Sequence, residues 1–237
     1  MLNDVKLKRV LFLDAETVPQ KAEFEELNKD WQELWERKMK STMEREGQTA
    51  KELYNRAGIY AEFGKIVCLS TGFFESDEAK SFRIKSFTGH DEKKLLEDFS
   101  ALLDSGTIES LCAHNGKEFD FPYIARRCLI NGLNIPKLLD NAGKKPWEVN
   151  HFDTMELWKF GDFKSYTSLN LLAATFGIRS PKDDIDGSDV WRVYWEENDL
   201  ERIKIYCQKD VVTTAKLFLK FKDPGKSTDF EIHYIEQ

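Results

Sequence analysis

The sequence predicts an α/β fold in which helices flank a mixed central β-sheet and a helical insertion follows the first strand. Three features of the 237-residue chain carry this prediction. Strand-like apolar runs fall early, amphipathic helical periods fall late, and the connections mix a hairpin with crossovers. A hydrophobic content of 41% allows a sizeable core, and one domain spanning 1–237 is expected.

The elements follow in order. Lys8 to Asp14 reads as the first strand, and Pro19 ends the local order. Glu23 to Asn55 reads as helix, because Phe24, Leu27, Trp31, Leu34, Trp35 and Met39 recur at three- and four-residue steps. This makes an insertion over about 20–58, with eight basic and nine acidic residues between Lys21 and Arg56. Lys65 to Phe74 is a buried strand and Ser81 to Phe87 an alternating one, joined by a hairpin within Gly72 to Glu78. Asp91 to Leu103 is an amphipathic helix. Glu109 to His114 is a short strand that delivers Asn115 and Gly116 into a turn. Phe119 to Asn131 continues as helix and stops at Asn131-Gly132. Turn formers and charge make Pro136 to Asn150 a surface connection, and Phe152 to Met155 a short ordered segment. Ser168 to Phe176 is helical, closed by Gly177, and Asp199 to Phe221 forms a long terminal helix.

Composition limits the function classes. A formal net charge of -7 argues against a protein that coats nucleic acid through bulk positive charge. An enzyme that grips a strand locally and recruits cations at its centre is compatible with it. Cys68, Cys112, Cys128 and Cys207 form no CxxC pair and read as reduced thiols in a core. No apolar run approaches membrane-spanning length, and the stretch before Asp14 does not read as a secretory signal. A cytoplasmic protein with no membrane partner is therefore expected.

The chemistry concentrates in three places. Asp14 and Glu16 end the apolar run Val10-Leu11-Phe12-Leu13, so alternation puts both carboxylates on one face of a strand end. Asp120 follows the turn His114-Asn115-Gly116-Lys117-Glu118-Phe119. Tyr206 and Asp210, four apart on the terminal helix, share a face. Four acids gathered at one point repel one another, and divalent cations resolve that repulsion. Carboxylate and water ligands select Mg²⁺ or Mn²⁺ rather than zinc, and a metal pair about 4 Å apart suits phosphodiester hydrolysis.

In order, these pieces resemble the three exonuclease motifs of the DEDD superfamily of 3′-to-5′ exonucleases. The motifs would be Phe12-Leu13-Asp14-Ala15-Glu16-Thr17, then His114 to Ile124, then Tyr206-Cys207-Gln208-Lys209-Asp210. Ile205, five before Asp210, stands where the other subtype carries histidine, so the chain resembles the tyrosine subtype. The Asn115-x4-Asp120-x-Pro122-Tyr123 form is similar to the proofreading domain of family B DNA polymerases. Ser165-Tyr166-Thr167-Ser168-Leu169-Asn170 resembles that domain's substrate-side segment. The similarity runs from Val10 to about Leu219, which reads as a free-standing relative.

The resemblance implies a ribonuclease-H-like fold and metal-dependent removal of nucleotides from the 3′ end of single-stranded DNA. It implies that Asp14 bridges two metals, Glu16 and Asp210 complete the inner site, and Asp120 holds the outer one. Tyr206 would orient the attacking water, and Asn115, Phe119, Ser168 and Leu169 would grip the terminal nucleotide. Competing readings are an exoribonuclease of the same superfamily, a catalytically silent nucleic-acid-binding or polymerase accessory module, and an endonuclease of the wider fold. Three other features read more simply as structure: His114 as a packed side chain, Lys182 as a loop lysine, and Trp31 with Trp35 as an apolar helix face. Asp153 resembles a recurrent acid of polymerase exonuclease domains, and capping the following segment explains it equally well.

Overall fold

The computed structural model describes residues 2–162, 164–178 and 185–235. Lys182 lies outside the described residues. Six strands form one sheet in the order β5-β4-β1-β2-β3-β6. They are β1 (Val10–Pro19), β2 (Gly64–Phe74), β3 (Ser81–Thr88), β4 (Ser110–Ala113), β5 (Phe152–Asp153) and β6 (Glu231–Ile235). The first three form an antiparallel meander, whereas β4, β5 and β6 join in parallel, which makes the sheet mixed. The predicted α/β class is what the structure shows.

Alternation along β1 sorts the core into two layers. Leu11, Leu13 and Ala15 pack with α2 (Glu92–Leu103) and α3 (Asp120–Ile130), contributing beside Leu96, Phe99, Phe121 and Ile124. Val10 and Phe12 point the other way, to Val211, Ala215 and Phe218 of α7 (Leu200–Lys222). The side chains of Asp14 and Glu16 continue that second row, so they fall under the long terminal helix.

β1 does not end at Asp14. It pairs with β2 from Phe12 through Pro19, with a register shift between Glu16 and Thr17. The two acids therefore lie inside a central strand. Pairing with β4 stops at Phe12 and Cys112, and this leaves β1 open on that side just before the acids.

The insertion is also shorter in helix than predicted. α1 covers Lys29–Glu46, starting at Asn28, whose side chain accepts from Trp31 N–H at 3.0 Å. It ends at Gly47, which takes φ +67° and donates to Met43 O at 2.8 Å. Short 3-10 turns cover Phe24–Glu26 and Tyr54–Ile59. Trp35 is fully buried, donates its indole N–H to Ala50 O at 2.8 Å, and packs with Met39, Leu53, Tyr54 and Phe63. Trp31 lies edge-on to Phe63, with centroids 5.3 Å apart. Both tryptophans are packing residues.

The root of the insertion is tied to α3. Tyr123 donates to Gly58 O at 2.6 Å and Arg127 to Ala61 O at 2.7 Å. A Cβ at Gly64 would stand 2.3 Å from the Tyr123 hydroxyl, so glycine is needed there. The insertion thus shares a rigid contact with the helix that begins at Asp120.

Among the elements not anticipated are α6 (Val190–Trp195) and β6. α6 buries Val190, Val193 and Tyr194 against Val18 and Ile203, which braces the start of α7. Ser168 caps α5 (Leu169–Thr175), and Asp153 precedes α4 (Thr154–Lys159). No described helix is long and apolar enough to cross a membrane.

Candidate active site

Three elements converge on the α7 side of the sheet. β1 supplies Asp14 and Glu16, and α7 presents Tyr206 and Asp210 from one face. α3 begins with Asp120, which reaches past the end of β4 and accepts a hydrogen bond from Ala15 N–H. The five residues predicted from the sequence are brought together.

Their electrostatics show the crowding. Burial raises the Glu16 pKa well above the usual carboxylate range, and the negative charges of Asp14 and Asp210 raise it further. Asp120 is likewise raised well above its ordinary value, first by burial and then by the charge of Asp14. Asp14 is raised by burial, against the lowering effect of hydrogen bonds with Cys207 and Glu16. Burial leads again at Tyr206, where the charges of Glu16, Asp210 and Asp14 and a hydrogen bond to Asp210 all favour the phenol. The Tyr206 hydroxyl is therefore held as the neutral phenol and donates to Asp210.

One atom bears on whether the cluster suits a cation. Asp14 Oδ2 is buried and has no hydrogen-bond partner among the described residues. A buried carboxylate oxygen without a partner is costly, and a cation removes the cost. The donor set is hard oxygen from four acids, which fits Mg²⁺ or Mn²⁺.

Asp120 is positioned by the turn before it. Asn115 takes φ +63°, in the left-handed region that asparagine tolerates better than most residues. A Cβ at Gly116 would meet Ala113 Cβ at 2.4 Å, so only glycine fits. Phe121 N–H then returns to Gly116 O at 2.9 Å, which starts α3 with Asp120 facing β1.

Asp153 holds this turn from outside. Its carboxylate accepts from Asn115 N at 2.9 Å and Lys117 N at 3.0 Å. It also accepts from Met155 N at 2.9 Å and Glu156 N at 3.3 Å. The helix-cap reading is correct but incomplete, because the same side chain fixes the approach to Asp120. Its place directly after the β5 residue Phe152 was the available signal.

His114 is packed, as its simpler reading held. A carbonyl can only accept, so Nε2 donates to Thr167 O at 2.9 Å, and Nδ1 accepts from the Thr154 hydroxyl at 2.8 Å. This bridge brings the 165–168 segment to the end of β4. Ser168 Oγ accepts from Leu171 N at 3.3 Å, and Leu169 packs with Leu172 and Leu217. Phe119 stacks at a tilt on Tyr123, with centroids 5.2 Å apart. The structure gives Ser168, Leu169, Phe119 and Asn115 local structural tasks, and their contact with a nucleotide stays a proposal.

His114 and His151 make a pH prediction. His151 Nδ1 accepts from Leu111 N at 3.2 Å and Nε2 donates to Leu138 O at 2.6 Å. Burial lowers both imidazole pKa values below the ordinary 6.5. The unfolded chain then binds protons that the folded chain refuses, so this stability is present above pH 6.5 and is lost as pH falls through the folded values. The raised carboxylates Asp14, Glu16 and Asp120 act in the opposite sense, so the histidine effect is read as a difference: the melting temperature of His151→Gln relative to the wild-type chain should rise from pH 7 toward pH 5. A difference between the two proteins that does not change with pH would remove His151 from the account.

The fold and the acid cluster together define an α/β protein of the ribonuclease-H-like class with a buried carboxylate centre. Residues 59–231 match the family model described as "Predicted 3'-5' exonuclease related to the exonuclease domain of PolB", and the chain belongs to that family. Asp120, Tyr206 and Asp210 lie inside the matched region, whereas Asp14 and Glu16 precede it. Among curated relatives, a DNA polymerase of Thermococcus kodakarensis is 25% identical over 142 residues, covering 55% of this chain and 8% of the polymerase. A DNA polymerase of Thermococcus sp. is 24% identical over 178 residues, covering 68% of this chain and 23% of the polymerase. The chain thus matches less than a quarter of either protein. The family B DNA polymerase of Pyrobaculum calidifontis is a structural neighbour with a TM-score of 0.55 and 16% identity, covering 89% of this chain and 24% of that one. That likeness bears on the fold alone.

Proposed function

We propose that this protein is a metal-dependent 3′-to-5′ exonuclease that removes nucleotides from single-stranded DNA by a two-metal mechanism, with the tyrosine-subtype site Asp14, Glu16, Asp120, Tyr206 and Asp210. The observation that carries the reading is the convergence of four acids and a phenol from three elements around a buried carboxylate oxygen with no partner. Family membership supports the reaction class.

When bound, Mg²⁺ or Mn²⁺ polarises the phosphoryl oxygen and lowers the pKa of water. Asp14, Glu16, Asp120 and Asp210 would hold the pair. Tyr206, kept as a phenol by burial and its acidic neighbours, aligns the attacking water without taking its proton. Asp153 and Gly116 keep Asp120 in register with Ala15, and Asn115 and Phe119 stand beside it to receive the terminal nucleotide. Ser168 and Leu169 begin α5 on the segment that His114 draws toward β4.

The test is hydrolysis of matched linear and covalently closed single strands in Mn²⁺. The linear strand should be degraded and the circle spared, because an exonuclease needs an end. Loss of the circle at the same rate would replace this reading with an endonuclease. Running DNA beside RNA reads the sugar preference, and faster loss of RNA would overturn the DNA assignment. Millimolar Mn²⁺ should also raise the melting temperature, by about 2.7 kcal/mol of stabilisation at a hundredfold excess over Kd.

A further inference from the structure

A thiol stands among the acids. Cys207, on α7 between Tyr206 and Asp210, is fully buried. Its Sγ and one carboxylate oxygen each from Asp14 and Glu16 all lie within 4.8 Å of one another. The thiol donates to Asp14 O at 3.3 Å. A second buried thiol, Cys68 on β2, is the cross-strand partner of Glu16 and hydrogen-bonds with Cys207. Beside these donors is the Asp14 Oδ2 that has no partner.

The sulfur adds a softer donor beside the acids. Magnesium takes oxygen ligands, whereas thiolate favours borderline and soft ions such as zinc and cadmium. Zinc is commonly held by three protein ligands with a fourth position open, and here a sulfur and two oxygens converge. We propose that Asp14, Glu16 and Cys207 form a site for a thiophilic divalent cation, zinc in the first instance, and that this ion inhibits hydrolysis by occupying carboxylates that the magnesium centre needs. The inhibitory half rests on the exonuclease reading, and the binding half does not. On binding, the thiol proton leaves to solvent and the sulfur takes the ion in its place.

Cadmium is the probe, because a cadmium–thiolate bond absorbs in the ultraviolet where Mg²⁺ complexes do not. Added to the metal-free full chain, Cd²⁺ should give a saturable charge-transfer band that Cys207→Ser abolishes and Cys112→Ser retains. Zn²⁺ affinity, measured by competition with a chromophoric chelator, should fall at least tenfold in Cys207→Ser. Should that variant fail to fold by circular dichroism, Asp14→Asn keeps the thiol and should show the same tenfold loss. Zn²⁺ at the concentration that fills the site should slow Mg²⁺-dependent hydrolysis at least tenfold, with relief by excess Mg²⁺.

Absence of the band in the wild-type chain, or its persistence in Cys207→Ser, overturns the site. A saturated site with an unslowed reaction overturns the inhibition. Because the band is read without substrate, a chain that binds Cd²⁺ but degrades no strand in Mg²⁺ counts against the exonuclease reading alone.

Discussion

Asp14→Asn should lower the rate of phosphodiester hydrolysis by about a thousandfold or more, the consequence of losing several kcal/mol of transition-state stabilisation. The chain should remain folded. Asparagine keeps the shape of the side chain and removes one negative charge from a place where burial already disfavours it. In chelator, the variant should therefore melt at or above the wild-type temperature. Rate assays paired with thermal melts separate the two effects. A variant that loses activity only because it unfolds would leave the metal role of Asp14 unsupported.

The largest stability effect is expected at Glu92, away from the acids. Its carboxylate accepts from Arg127 Nε at 2.8 Å and Ile66 N at 2.7 Å, and from Asn131 Nδ2 at 3.0 Å. Arg127 also holds Ala61 O, so one buried pair joins α2, α3, β2 and the root of the insertion. Glu92→Ala leaves the Arg127 charge buried without its partner and the Ile66 N–H without its acceptor. The cost should be about 3–5 kcal/mol, read as a lower midpoint in urea. Lys94→Ala, which breaks an exposed pair with Asp98 on the same helix, should leave the midpoint unchanged. Equal effects from the two variants would mean that the buried network does not fasten these elements.

Much of the fold was legible because it follows local periodicity. The alternating and continuous apolar runs gave β2 and β3 nearly to the residue, and Asp91 and Asp199 marked helix starts as capping acids. The end of β1 was misread because Asp14, Glu16 and Thr17 look polar. Pairing with β2 extends the strand through them, and that pairing is not a local property. α1 was overextended because three- and four-residue spacing continues past its end. Two stop signals were present: Gly47, and the box in which Thr49 N donates to Glu52 at 2.7 Å and Glu52 N to Thr49 Oγ1 at 3.3 Å. β6 has five residues and α6 six, too short for their periods to show.

The site was legible in a different way. Spacing alone put Asp14 with Glu16 and Tyr206 with Asp210, each pair on one face. Bringing those pairs to Asp120 depends on the sheet order and on α7 crossing β1, so only the ordered resemblance of the motifs anticipated it. The tasks of Asp153 and Cys207 are tertiary. Asp153 serves a turn contributed by another strand, and Cys207 meets β1 only because α7 packs there. Its spacing three before Asp210 was the one local sign that it shares the acids' face.

The most direct test follows a 5′-labelled single strand of DNA incubated with the purified chain in Mn²⁺ or Mg²⁺. The account predicts a ladder that shortens stepwise from the 3′ end, stops when the ions are chelated, resumes when they are restored, and is absent with Asp210→Asn. A ladder that persists in chelator or is undiminished in Asp14→Asn and Asp210→Asn, or no shortening at all with either ion, would contradict it.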